Sequence, residues 1–417
     1  MDKALKYKII LFVAVLFILV LIPSGIEKQS QIQKIAIVSG IGIDKSEKGI
    51  TLSAQVLVPE PSTNYSPNQT VFFAEEENLA KAISSLELKI GQELGLSHCF
   101  IIVVGDEMFN DDITNTLDFL MRSNIMDNNS VLIHTEKKAQ EVLEVSSKLS
   151  KSDLNNLQNL AKFSHEHYDS VSTSLVNLFN DYLSNCPYTV VGSIKTEDKK
   201  SESDSSSKQQ SSQQEQQSSE NNKTLANNGD AIVLKKGKKI ATLKKDDIEN
   251  FSWLDTNSQK GHLIIENYSD KNAQNLKISL KIMHESANFC PELKNNTPIL
   301  KTNISFEYII ESIENENGEK QSVQENFYNE EFKKVVENTI KTKIQKTLDL
   351  SKENNFDIIK AYNKFNNKFN KKWKNYLKSL KNPDDYIKNL QIIVEVNLKT
   401  KLWNKNLKFK KELYLIF

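Results

Sequence analysis

An unbroken apolar run from Ile9 to Ile22 constrains this chain more than any other feature. Lys3, Lys6 and Lys8 precede it, and Pro23-Ser24-Gly25 come directly after. Such a segment is too greasy on every face for a helix with one side in water. The basic flank and apolar stretch have the form of an export signal, and the lysines hold their own end in the cytoplasm. As a helix the run spans roughly 21 Å, and extension from Tyr7 to Ile26 approaches the ~30 Å hydrocarbon core. Pro23 and Gly25 make a poor cleavage pair, and no cysteine precedes Cys99 to accept a lipid. We therefore read 1–26 as an uncleaved signal anchor, with Ile9, Leu11, Phe12, Val15, Phe17, Leu19 and Ile22 in the bilayer.

Beyond the anchor the chain is polar enough to be a water-borne body. Over 417 residues, 38% are hydrophobic and 26% charged, with mean hydropathy −0.48. Basic and acidic residues number 54 each, so no net field draws the chain to nucleic acid. Arg122 is the sole arginine, which leaves one guanidinium fork for bidentate phosphate recognition. Cys99, Cys186 and Cys290 are odd in number and far apart, with no metal-ligand spacing.

Periodicity gives an α+β body of mixed sheets with packed helices, preceded by the one anchor helix. An N-terminal domain over 30–192 opens with strands at 35–58. An amphipathic helix is expected from Glu75 to Leu94, with Leu79, Ile83, Leu86, Ile90 and Leu94 on one face. Phe100 to Val104 and Val131 to Ile133 read as strands. Helices are expected after Asp111 or Asp112, over Lys137 to Val145, and through most of Leu154 to Cys186. Residues 199–222 carry no apolar side chain. They belong to a low-complexity disordered linker, 193–228, because they offer no core to offset chain entropy.

A small middle β-rich domain is expected over 229–270, beginning with a hairpin around Gly237. A C-terminal α+β domain is expected over 271–417. Its strands fall near 276–283 and 302–310. Two helices come next, through Phe332–Leu348 and Phe356–Leu380, and then a last strand at Leu390–Leu398. The tail from Thr400 to Phe417 is basic and aromatic, and reads as the end of that strand with a frayed terminus.

Several of these segments resemble one family. Ile37-Val38-Ser39-Gly40-Ile41-Gly42-Ile43-Asp44 resembles the opening strand of the Ger(x)C spore germination proteins. Gly95-Leu96-Ser97-His98 with the apolar strand after it resembles the family's glycine-histidine element. Leu117 to Arg122 resembles the next helix, and Gly229-Asp230-Ala231-Ile232-Val233 with Trp253-Leu254 resembles the start of the C-terminal part. Gly40, Gly42, Asp44, His98 and Arg122 are the family-motif residues, with no role assigned. The resemblance implies the non-enzymatic C subunit of a nutrient germinant receptor in the spore inner membrane. That subunit works beside an A-type integral-membrane subunit and a B-type transporter-like subunit. Family members usually carry a lipid-accepting cysteine after the export segment. Ile22-Pro23-Ser24-Gly25-Ile26 has none, so the helix itself is the expected attachment.

No phosphate loop, dinucleotide fingerprint, zinc helix or nucleophile elbow is present. Catalytic, cofactor and metal residues are accordingly expected to be none. His165 and His167 fall two apart, on different sides of any helix. His98 reads as a satisfied structural histidine at a strand entry, and Arg122 as a helix-ending partner of a carboxylate. Gly40 and Gly42 permit a bulge or close backbone approach. Two other classes remain: an exported enzyme, marked by a pocket with a Ser/His pair or paired carboxylates, and a solute-binding protein, marked by a ligand-sized cleft between domains.

Overall fold

The computed structural model describes residues 35–58, 68–123, 125–149, 170–198, 223–254, 260–269, 275–321 and 329–400, with Phe12, 157–159 and 161 besides. The remaining anchor residues, His165, His167, residues 199–222 and the tail after Thr400 lie outside them. Phe12 is helical and exposed, and no helix among the described residues is long and apolar enough to cross a membrane.

A mixed sheet organises the first half. Its parallel centre consists of β1 (Ile35–Ser46), β5 (Ile101–Gly105) and β6 (Val131–Thr135), and β4 (Glu93–Gly95) pairs with the start of β1. Further strands extend it on both sides. On one side lie β2 (Gly49–Val58), which joins β1 antiparallel, and β3 (Asn68–Glu76). On the other lie β8 (Tyr188–Asp198), β9 (Lys223–Lys235) and β10 (Lys238–Leu243), with the short β7 (Thr173–Ser174) on β6. Strand β8 joins β6 parallel before the ladder turns antiparallel. Every residue of β5 and β6 is buried, because parallel strands are covered on both faces. Helices α1 (Leu79–Ile90), α2 (Ile113–Ser123) and α4 (Leu175–Leu183) cover one face through Leu86, Leu117 and Leu178. Helix α3 (Ala139–Leu149) covers part of the other through Val142 and Leu143, against Ile101, Val103 and Ile133.

Helix α1 is shorter than its periodicity suggests. Asn78 caps it by accepting from Lys81 N–H at 3.0 Å, and Gly91 ends it at φ 77°. Glu75 and Glu76 finish β3 instead, opposite Thr51 and Ile50. The mostly helical expectation for Leu154 to Cys186 is met within the described residues only by α4 and a few residues near 157–161. Tyr188 already opens a strand.

The second half is a five-stranded sheet. Its strands are β11 (Lys260–Ser269), β12 (Asn275–Lys294), β13 (Thr297–Asn315), β14 (Lys320–Gln321) and β15 (Gln391–Thr400), the last lying parallel to β13. Its even-numbered β13 residues from 298 to 310 face inward, and after a register shift Ile313 takes that side; α6 (Glu330–Glu353) lays Phe332, Val336, Ile340, Ile344 and Leu348 across them at four-residue spacing. Helix α7 begins at Ala361 rather than Phe356, running to Ser379, and α8 (Tyr386–Asn389) leads into β15.

Residues 229–270 are not one middle unit. The β9–β10 hairpin adds to the first sheet, turning through Lys236 and Gly237 at φ 51° and 72°, while β11 is the edge of the second. Helix α5 (Lys245–Ser252) and Trp253 connect them, the indole packing 5.5 Å from the Phe306 ring. Nor are 193–198 and 223–228 linker. Asp198 pairs with Lys223 at the end of one β8–β9 ladder, so the low-complexity tract joins the two arms of a hairpin. Tyr188, Val190, Ala231 and Val233 of the first sheet share a single core with the second sheet and α6. Composition marks a polar tract but not that its two ends are ladder partners.

Candidate functional site

Gly40, Gly42 and Asp44 act together under helix α3. A Cβ on Gly40 would sit 2.7 Å from Ile101 Cγ2, and one on Gly42 would sit 3.0 Å from Ala139 Cβ and 3.1 Å from Leu143 Cδ1. Bare glycines let the helix lie close on the strand, and the β1–β2 register shifts between Val38 and Gly40. Asp44 then accepts from the N–H groups of Ala139 at 2.8 Å and Gln140 at 3.2 Å. The carboxylate satisfies orphan donors at the start of α3 from a strand far away in sequence. Burial pushes its pKa up, and the two backbone hydrogen bonds oppose that rise.

His98 and Arg122 stand apart from this seat. His98 ends a 3₁₀ turn (Leu96–His98) and is exposed, not a packed histidine. Arg122 is exposed on α2 and pairs with Asp118 one turn earlier, at 2.5 Å.

The packed histidine is His134. Apolar composition ends its strand at Ile133 and so gives no warning of it, although a histidine inside a parallel-sheet strand has no route to water. His134 Nδ1 lies 2.7 Å from Ser193 Oγ on β8, and Nε2 lies 2.8 Å from Asp106 Oδ1 after β5. Lys239 from β10 donates to the same Asp106 oxygen at 2.5 Å, and Phe109 packs edge-on against the imidazole. Burial drives the His134 pKa down, against the pull of Asp106. Burial alone would raise Asp106, but its hydrogen bonds from Lys239 and His134 outweigh that and hold it below the usual range. The imidazole is thus neutral, giving Nε2–H to Asp106 and accepting from Ser193. The order Ser–His–Asp is that of a nucleophilic triad. Ser193 is only 3% exposed and His134 1%, however, and a nucleophile must meet its substrate. The chain of bonds ties β5, β6, β8 and β10 together.

A second buried cluster joins the halves. Asp357, between α6 and α7, accepts from Ala361 N–H at 2.9 Å, Tyr362 N–H at 2.8 Å and Tyr386 O–H at 2.5 Å. The Cys186 thiol donates to the same carboxylate at 3.3 Å, reaching it from just before β8. Burial first, then the Asp357 charge, lifts both the thiol and the phenol far above their ordinary pKa values, so both stay protonated donors. Nearby, Lys360 sits at φ 54° and donates to both oxygens of Asp181 on α4, at 2.6 and 2.8 Å. Lys235 reaches Asp384 at 2.8 Å. The run Asn354-Asn355-Phe356-Asp357, rich in turn formers just ahead of α7, is the sequence signal for this site.

Two family descriptions match in order along the chain. "Spore germination protein N-terminal domain" covers residues 28–195, and "Spore germination B3/GerAC like, C-terminal" covers 228–401. This chain is a member of the Ger(x)C family. Among its relatives is spore germination protein KC of Bacillus subtilis (strain 168), 21% identical over 357 residues, 81% of this chain and 84% of that one. The fold is similar to the crystal structure of the GerBC protein, with a TM-score of 0.51 at 14% identity, over 87% of this chain and 96% of the other. The polar tract lies between the two matched regions. In this Ger(x)C protein the boundary falls inside the β8–β9 hairpin. Lys239, Asp357 and Lys360 from the second region therefore complete clusters begun by Asp106, Cys186 and Asp181 in the first.

Proposed function

We propose that this Ger(x)C protein is the C subunit of a membrane-bound nutrient germinant receptor. It acts by binding partner proteins at the outer face of the spore inner membrane. The observation that carries this reading is the ordered match of both family regions over nearly all of the body. The buried clusters support it. Asp106–His134–Ser193–Lys239 and Asp357–Cys186–Tyr386 link strands and helices, as suits a rigid adaptor that presents surfaces. Attachment is through the helix over 1–26, since Ile22 to Ile26 offers no thiol for a lipid. The A-type and B-type subunits are its partners, and any nutrient acts on it indirectly.

Affinity purification of the tagged full-length chain from spore inner membranes tests the proposal. Recovery of a multi-span A-type and a transporter-like B-type subunit is expected. A chain recovered without them, or found in the soluble fraction after lysis, rejects it.

A further inference from the structure

We propose that the outer edge of β3 pairs with the same strand of a second copy of this chain, antiparallel and centred on Phe72. Strand β3 ends the first sheet, and no described strand lies beyond it. Its ladder to β2 runs from Asn68 to Glu76 without a shift of register. Such an edge is a template for another strand unless lysine, proline or a bulge guards it. The other long outer strands are guarded. Strands β10, β11 and β15 each contain lysine, and β10 and β11 also shift register. Strand β3 contains no lysine, proline or glycine.

Lys89 of α1 donates to the Phe73 carbonyl at 3.1 Å, which marks the free side of the strand. Backbone polar groups alternate between the two sides of a strand, so those of Gln69, Val71 and Glu75 point outward with those of Phe73. About a two-fold axis at Phe72, Val71 meets Phe73 and Gln69 meets Glu75. Outward groups therefore meet outward groups, and each such pair exchanges both of its hydrogen bonds. The Phe73 carbonyl has a second lone pair, so Lys89 can keep its place.

The side chains suit the same register. Phe72 meets its own copy, and Phe73, 41% exposed, lies opposite Val71. Leu88, 85% exposed, adds apolar surface beside the edge. It lies on the flank of α1 that carries Lys89 and Ser85, whose hydroxyl donates to Glu76 at 2.7 Å. Gln69 is buried, and neither its amide oxygen nor its nitrogen has a partner among the described residues. The added strand sets a Glu75 carboxylate opposite it, within reach once the amide turns to the edge. Glu75 and Glu76 of the two copies fall at opposite ends of the ladder, so no carboxylate faces another. One sequence supplies both members of every pair, which is why the occupant is a second copy. This surface goes beyond the receptor-subunit reading and does not depend on it.

Sedimentation velocity of the full-length chain in a density-matched non-ionic detergent gives the first test. A protein mass that rises with concentration to twice 47.6 kDa is expected. In the unaltered chain, amide exchange over residues 69–75 should slow by at least about tenfold across that rise. Mild oxidation should link Phe72→Cys to its own copy, with the exposed Cys290 replaced by serine. Thr70→Cys should not link to itself but should link to Ala74→Cys, because 70 lies opposite 74. Phe73→Pro removes an outward N–H and no ladder bond, so it should leave the circular dichroism spectrum unchanged and abolish the dimer. A monomer at every concentration overturns the proposal and leaves the edge to a strand of another protein. A dimer without slowed exchange over 69–75, or one that survives Phe73→Pro, is held elsewhere and overturns it as well. The mass and exchange measurements use the unaltered chain, so a variant that fails to fold leaves the test intact.

Discussion

Asp44 on β1 accepts a hydrogen bond from the backbone N–H of Ala139 at 2.8 Å, so the strand that opens the body caps a helix that begins after β6. Helix α3 is thus started by a carboxylate that only the folded sheet delivers. Asp44→Ala should therefore cost about 1–2 kcal/mol, leaving two N–H groups without their acceptor. Urea unfolding checks it, with a lower midpoint and an unchanged slope as the expected result.

His134 gives the fold a pH dependence of predictable sign. Its pKa is pushed below the usual 6.5 by burial, so below pH 6.5 the unfolded chain takes up a proton that the folded chain refuses. Its contribution is present above 6.5 and is lost as pH falls from there toward the depressed folded value. Asp106, held below 3.8, contributes above that value and loses its contribution only at more acid pH. Stability should thus fall between pH 7 and pH 5, and His134→Gln should flatten the fall. Denaturant midpoints of both proteins across that range measure it, and an equally steep fall in the variant assigns the effect elsewhere.

The polar tract should be dispensable to the body. Asp198 and Lys223 are already paired, so a two-residue Asn-Gly turn in place of 199–222 closes the same hairpin. Shortening the loop lowers its closure entropy by up to about 2 kcal/mol. The melting temperature of the shortened chain should equal or exceed that of the original. A drop of more than a few degrees would mean the tract packs on the body.

Asp357 bonds groups from both halves, Cys186 of the first and Tyr386 of the second. Asp357→Ala strands the neutral donors of Tyr386, Cys186 and the first turn of α7, and should cost about 3 kcal/mol or more, since each buried donor left unpaired costs about 1–3 kcal/mol. Tryptophan fluorescence from Trp253 and Trp373 and far-ultraviolet circular dichroism should melt together in the original chain. They should separate in the variant if the seam opens before the sheets do.

The sequence alone carried the element types, because a period of four in α6 and of two in β13 and β15 reflects which faces are buried. It carried the family too, through short segments whose order is specific even though each is weak. It also flagged Gly40 and Gly42 as places of close approach, since a strand interior rarely tolerates glycine without a reason. The partners across the fold were decided elsewhere. That α3 is the element above those glycines, that His134 rather than His98 is the packed histidine, and that β9–β10 completes the first sheet are long-range facts. Hydrophobic periodicity tells each segment which side to bury and is silent on what it is buried against. Only the closed tertiary structure, in which every enclosed polar group must find a partner, settles that Asp44 answers Ala139 and Lys360 answers Asp181.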